Sequence, residues 1–469
     1  MDQVNAAAQP IAATSAGDAT ISQCLADYWA TASFDDLPPV VLASAKRFLL
    51  DTLAAGVAGG HESVVNAVVD GARAAAGSGE AVLWGRRDRL PPAAAALANG
   101  TAAHALELDD FGGCGHSGAV VIPAIAALAA IAPVSGRQVL LAVVAGYDVA
   151  SRVLVGSGGY RPHNEHGWHS TGTCGSFGAA AAAAKLLGLS PEGFAHALGI
   201  AGTFVGGLWA FLADGALVKR FHPGKAAETG VSAALLARAG LTGPGRIFEA
   251  EWGGFYPTYA PGFATPEQAV LGLGEDFHIL RSGIKPYACC RTIHSAIDAA
   301  LTILGAAPGG AATIRRMIVH GNEQTRRQFD RMDIGNLLEA QFSMPYCLAV
   351  TAESGRATID QFVPLRTDHP EIRRLMAVTE IRTDRVLGPK DYPSLEIVFA
   401  DGTSAYKDVP FAKGAPEAPL SDDELLAKAS TLLVPVLGAA VARQVTDAIL
   451  ALEDVDDFAE VIRHLAPGS

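Results

Sequence analysis

Over roughly the first 275 residues the apolar positions fall in long Ala- and Leu-rich runs, punctuated by caps and glycine stops. That is the pattern of closely packed helices. The stretch Asp35-Asp36-Leu37-Pro38-Pro39 predicts a helix through AKRFLLDTLAAGVAG, and Pro91-Pro92 predicts another through AAAALANGTAAHALELDD. Gly188 ends an Ala-rich helix, and Ser190-Pro191 opens the next, with Ser as N-cap and Pro at the first helical position. Residues 117–136 carry no charge, long enough for a membrane span. Pro123 and Pro133 interrupt them and no basic cluster flanks them, so they read as a buried helix.

Near residue 280 the period changes from helical to alternating. Residues 313–320, 378–384 and 394–409 read as strands, the last a hairpin turning at Asp401-Gly402. Helices are expected around 292–305 and 337–352, and Ser421 with Glu424 forms a capping box that opens a helical tail to 466. The expected fold is mainly α: a flexible tail over 1–18, a large all-helical domain over 19–280, a smaller inserted α/β lid domain over 281–409, and C-terminal helices over 410–469 that return to the first domain.

Net charge is −13, against nucleic-acid binding, which needs clustered Lys and Arg. It leaves a small anionic substrate open, because such a ligand responds to local charge. The six cysteines form no CxxC pair, against a disulfide framework or zinc module, and a reducing cytoplasm fits. The N-terminus has neither the basic region nor the apolar core of a signal peptide.

Chemistry concentrates in four stretches. YRPHNEHGWHSTGT holds His163, His166 and His169 at HxxHxxH spacing. Metal ligation, a solvated loop and a proton-transfer site are the three readings. Pro162 and Gly167 argue for a loop, and on a helix positions i and i+6 diverge, so metal is the weakest. His169 precedes the Ala-rich helix, where free N–H groups and the helix dipole favour a carboxylate, and there it could exchange a proton with substrate. GTCGSFG is not GxGxxG and follows no strand, against a dinucleotide. HALELDDFGGCGHSGAVVIP carries Glu107, Asp109, Asp110 and His116. LVKRFHPGKAAETG carries Lys219, Arg220, His222 and Lys225, and IKPYACCRTIH carries Lys285, Tyr287, Arg291 and His294. A lone His or Lys beside apolar residues is more often structural. Together these groups supply the acids, bases and cations that proton abstraction beside a carboxylate requires.

With LPPVVLASAKRFLLDTLAAGVAG, QFSMPYCLAV and KGAPEAPLSDDEL, the ordered set resembles the MmgE/PrpD family, which includes 2-methylcitrate dehydratase, cis-aconitate decarboxylase and iminodisuccinate epimerase. The resemblance spans residues 22–466. It implies a homodimer, no metal, no organic cofactor and a site between the helical and lid domains. By motif it implies catalytic roles for His116, His169, Lys219, Lys285 and Tyr346. Glu107, Asp109, Asp110, Thr171, His222 and Arg291 are the expected substrate contacts. Decarboxylase members have Asp and Thr where this chain has Glu107 and Phe111. Dehydratase members follow their histidine with a Pro-Ser-Asp-Asn type sequence, here Ser117-Gly118-Ala119. The resulting expectation is a cofactor-independent lyase, dehydratase or decarboxylase, on a small di- or tricarboxylate. An epimerase is the alternative, and a non-catalytic polycarboxylate-binding protein is the second.

Overall fold

The computed structural model describes residues 19–307, 310–388 and 391–468. The expected tail over 1–18 lies outside them. The chain is mainly α-helical, and most of its buried apolar side chains join one continuous core. The Pro39–Gly59 helix starts with Pro39 in its first turn, and the helix Pro191–Gly202 is capped by Ser190, whose side chain accepts from Gly193 N at 3.2 Å. The charge-free stretch becomes the helix Gly118–Leu128, buried at every position. A longer apolar helix, Gly136–Gly156, has the length and composition of a membrane span, yet 94% of its most apolar window is buried within the molecule.

Two expectations are corrected. The helix beginning at Pro92 stops at His104 instead of running on to the acidic residues. Glu107 then takes φ 53°, the only described non-glycine residue in the left-handed region, and Asp110–Phe111 pairs as a short strand with Gly283–Ile284. The region expected as a helix over 337–352 is two helices, Leu337–Gln341 and Met344–Ser354, the second capped by Ser343.

The strands appear where the alternation falls. Ile314–His320 runs parallel to Thr379–Arg382 and antiparallel to Ser394–Phe399, which pairs antiparallel with Ser404–Lys407. At the hairpin turn Gly402 has φ 86°, and Asp401 Oδ1 accepts from Thr403 N at 2.9 Å. The helices His294–Ala306 and Asp422–Leu437 each pack on an element far away in sequence, the first on the Ser394–Phe399 strand and the second on Pro39–Gly59. Lys428 of the C-terminal helix donates to Leu108 O at 2.6 Å, and so anchors the acidic loop from below.

The Pro92–His104 and Val218–Arg238 helices cross closely at glycines. A Cβ on Gly100 would stand 2.7 Å from Gly224 Cα, and one on Gly224 only 2.1 Å from Leu97 O. This contact sets the distance between His104, at the end of one helix, and Lys219, at the start of the other. Gly224→Ala is expected to cost about 1–3 kcal/mol by overpacking, read from the urea midpoint. An unchanged midpoint would show that the crossing has slack.

Candidate active site

At its centre is Glu107. One carboxylate oxygen meets Lys219 Nζ, and the other accepts from Lys285 Nζ at 3.0 Å. Lys285 also donates to the Glu107 carbonyl at 3.2 Å, which steadies the left-handed backbone there. All three side chains are at least 96% buried. Burial alone would raise the Glu107 carboxyl, but the two ammonium groups hold it well below the usual range. Burial lowers Lys219 despite Glu107, whereas for Lys285 the carboxylates of Glu107 and Asp109 outweigh burial and raise it.

Lys219 Nζ also lies 2.8 Å from His104 Nε2. An ammonium only donates, so His104 carries its proton on Nδ1 and gives it to Asp109, 2.9 Å away. Burial pushes His104 down to about 3 and keeps it neutral. Asp109 meets two rings at one oxygen, with His116 Nδ1 3.2 Å from the same Oδ2 that His104 approaches. His116 Nδ1 lies 2.8 Å from Asp110 O. A carbonyl only accepts, so the His116 proton is on Nδ1 and its Nε2 is bare when the ring is neutral. No described residue hydrogen-bonds that Nε2.

His169 lies opposite, its ring centroid 6.5 Å from that of His116. Its Nδ1 is 2.9 Å from His222 Nδ1, and its Nε2 has no hydrogen-bond partner among the described residues. Burial, then the Lys219 charge, holds His169 well below 6.5. Two imidazoles are thus each anchored through Nδ1 and each present a free Nε2.

Arg291 belongs to the same region. Its guanidinium stacks over Phe111 at 4.3 Å and lies 5.5 Å from the Tyr392 ring. Nη2 donates to Ala412 O at 3.2 Å, while Nε and Nη1 are buried without a partner. Buried guanidinium N–H groups left unpaired suit a ligand carboxylate. The Thr171 hydroxyl is also buried and unpaired, beside Gly115 of the His116 loop.

Several sequence-based expectations change. Tyr346 is not in the constellation: its hydroxyl donates to Gln361 O at 2.9 Å and accepts from Arg366 N at 3.1 Å, so both capacities serve the local backbone. Asp110 turns inward, where its oxygens accept from Gly118 N at 3.0 and 3.1 Å and cap the following helix. Burial, then Asp109, raises its carboxyl well above the usual range. Glu107 pairs with two lysines and Asp109 with two histidines. His169 does not open the Ala-rich helix. It caps a single turn, Ser170–Thr173, and the long helix begins at Gly175. Asn164 Oδ1 already accepts from Ser170 N at 3.3 Å, so the anion cradle expected there is incomplete.

The three spaced histidines do not converge. His163 is buried, with Nε2 2.8 Å from Thr173 Oγ1, and His166 packs beside Phe263. The group with metal-like spacing is instead His104, Asp109 and His116, their ligand atoms within 4.8 Å of one another. Both Nδ1 atoms already carry protons directed at oxygens, and the Lys219 and Lys285 ammonium groups stand alongside. Hydrogen bonding therefore accounts for the arrangement. His104 was missed as a site residue. Its signal was a histidine three residues before Glu107 at the end of an otherwise small, apolar helix. Gln341 was missed too: it accepts from Arg220 at 2.8 Å and donates to Leu106 O at 2.6 Å, joining three separate segments.

Relatives match over most of the chain. A cis-aconitate decarboxylase-like protein oryM from Aspergillus oryzae is 32% identical over 457 residues, covering 91% of this chain and 93% of that protein. The cis-aconitate decarboxylase of Aspergillus terreus is 28% identical over 466 residues, covering 93% and 94%. The human enzyme of that name is 28% identical over 383 residues, covering 78% and 77%. The MmgE/PrpD N-terminal domain matches residues 23–268 and the MmgE/PrpD C-terminal domain residues 287–454, and the chain belongs to the MmgE/PrpD family.

Proposed function

We propose that the protein is a lyase that removes CO2 or water from a small di- or tricarboxylate, in a cleft between the helical part and the strand-containing part. The latter acts as the lid. The observation that carries this reading is the pair of free Nε2 atoms on His116 and His169, beside buried lysines. Loss of CO2, loss of water and reprotonation at carbon all place negative charge next to a carboxylate. Lys219 and Lys285 would supply the cations that stabilise that charge, and Arg291 would offer its unpaired N–H groups to a substrate carboxylate. His116, bare at Nε2, serves as base, and His169 serves as acid. The decarboxylase names of the relatives favour CO2 loss. The proximity of the two histidine rings, centroids 6.5 Å apart, favours the second reading, a two-base epimerase of a dicarboxylate.

Proton NMR in D2O, offering cis-aconitate, 2-methylcitrate and iminodisuccinate in turn, tests the proposal. Itaconate would mean decarboxylation, an alkene from methylcitrate dehydration, and deuterium uptake without net loss epimerisation. Binding without turnover of any polycarboxylate would replace the lyase with a binding protein. His116→Asn is expected to cut turnover by about 10²–10⁴-fold, with the parent's circular dichroism retained. Full turnover in that variant would remove His116 from the chemistry. Light scattering tests the homodimer, which would have twice the 48.3 kDa chain mass.

A further inference from the structure

We infer that His222 is a positioning residue that donates its Nδ1–H to His169, and so holds His169 in the Nε2–H form that complements His116. The inference rests on the acid–base reading above and adds the direction of a hydrogen bond. Two neutral imidazoles whose Nδ1 atoms are 2.9 Å apart share one proton, so one ring donates and the other accepts. Neutral His116 has its Nε2 bare, because its Nδ1 faces the Asp110 carbonyl. An acid facing that base must carry hydrogen on the nitrogen turned to the cleft. His169 must then be bare at Nδ1, and His222 must be the donor.

The surroundings of His222 fit the role. It is 8% exposed, and it lines an open, largely apolar cavity of about 500 Å³ with Gly172, Gly207, Phe211, Phe221 and Lys225. Among the described residues its own Nε2 has no hydrogen-bond partner. Gly207 leaves the flank of the pair clear: with φ 132°, a Cβ there would stand 3.3 Å from His222 Nδ1. The donor ring is therefore held from within by His169 and reached from without through the cavity. In that position it can be replaced by a small molecule of the same chemistry.

The test compares His222→Ala, His222→Phe and His222→Asn on the substrate that the wild-type protein turns over. His222→Ala is expected to lose about 100-fold in kcat with KM within twofold, and added imidazole should restore at least tenfold by entering the cavity. His222→Phe fills the space without a donor and should not be rescued. His222→Asn keeps an N–H donor and should retain more activity than either. Parent-like kcat in His222→Ala would overturn the inference. So would folded His222→Ala and His222→Asn variants that are equally impaired and indifferent to imidazole. A wild-type protein that turns over no carboxylate would instead overturn the acid–base reading itself.

Discussion

Replacing Lys219 with methionine is expected to lower turnover by about 10²–10³-fold and stability by about 3–5 kcal/mol. Both effects have one cause. Lys219 donates to one oxygen of Glu107 and to His104 Nε2, while Lys285 holds the other oxygen. Removing Lys219 leaves a fully buried carboxylate with half its compensation, and it frees His104 to turn away from Asp109. The double variant Lys219→Met with Glu107→Gln removes the charge along with its partner. It should recover much of the stability and none of the turnover. Urea unfolding and the NMR assay separate the two effects. A single variant as stable as the parent would mean that Glu107 is not held by this pair. Equal recovery of both properties in the double variant would mean that Lys219 serves the fold alone.

Acid should destabilise the protein by charging histidines that are buried neutral in the folded state. Burial lowers His104 and His278 to about 3 and His163 and His222 to about 4, from 6.5. The unfolded chain therefore binds protons first as pH falls. The contribution of these groups is fully present above pH 6.5 and is lost progressively below it. At pH 5 each of the four costs roughly 2 kcal/mol relative to neutrality. Asp51 works the other way: burial raises it to about 6, so the folded state keeps its proton and offsets about 1 kcal/mol at pH 5. Together these groups lose on the order of 7 kcal/mol between pH 7 and pH 5, comparable with the whole stability of many domains. Urea midpoints at the two pH values check it, and His163→Gln should flatten the slope by the share of one histidine. Equal midpoints would show that these rings are protonated or solvated in the folded protein.

Much of the fold was legible in local pattern. Proline and serine starts marked the helices at Pro39, Pro92 and Pro191, and the alternation around Asp401-Gly402 marked a hairpin. These signals act over a few residues, through φ restriction, cap hydrogen bonds and turn geometry. The break at Phe342-Ser343 was less visible, because the helical run continues through it and only the Ser343 cap marks a new start. The reagents of the site were legible as well. His116, His169, Lys219, Lys285 and Arg291 stood out as charged groups within apolar motifs; the structure gathers the first four around Glu107 and the two rings and sets Arg291 against Phe111.

The sequence by itself determined which side chains are available and which local elements carry them. Their roles were decided only by tertiary structure, because their partners come from distant segments: Glu107 meets Lys219 across 112 positions and Lys285 across 178. Asp109 and Asp110 are neighbours of one residue type, yet the left-handed turn at Glu107 and the short strand after it send one to two histidines and the other to a helix start. Tyr346 lies in a recognisable motif, but its hydroxyl is directed by the fold toward the backbone at Gln361 and Arg366. Buried polar groups must find partners, and a partner's identity is a property of the packed chain.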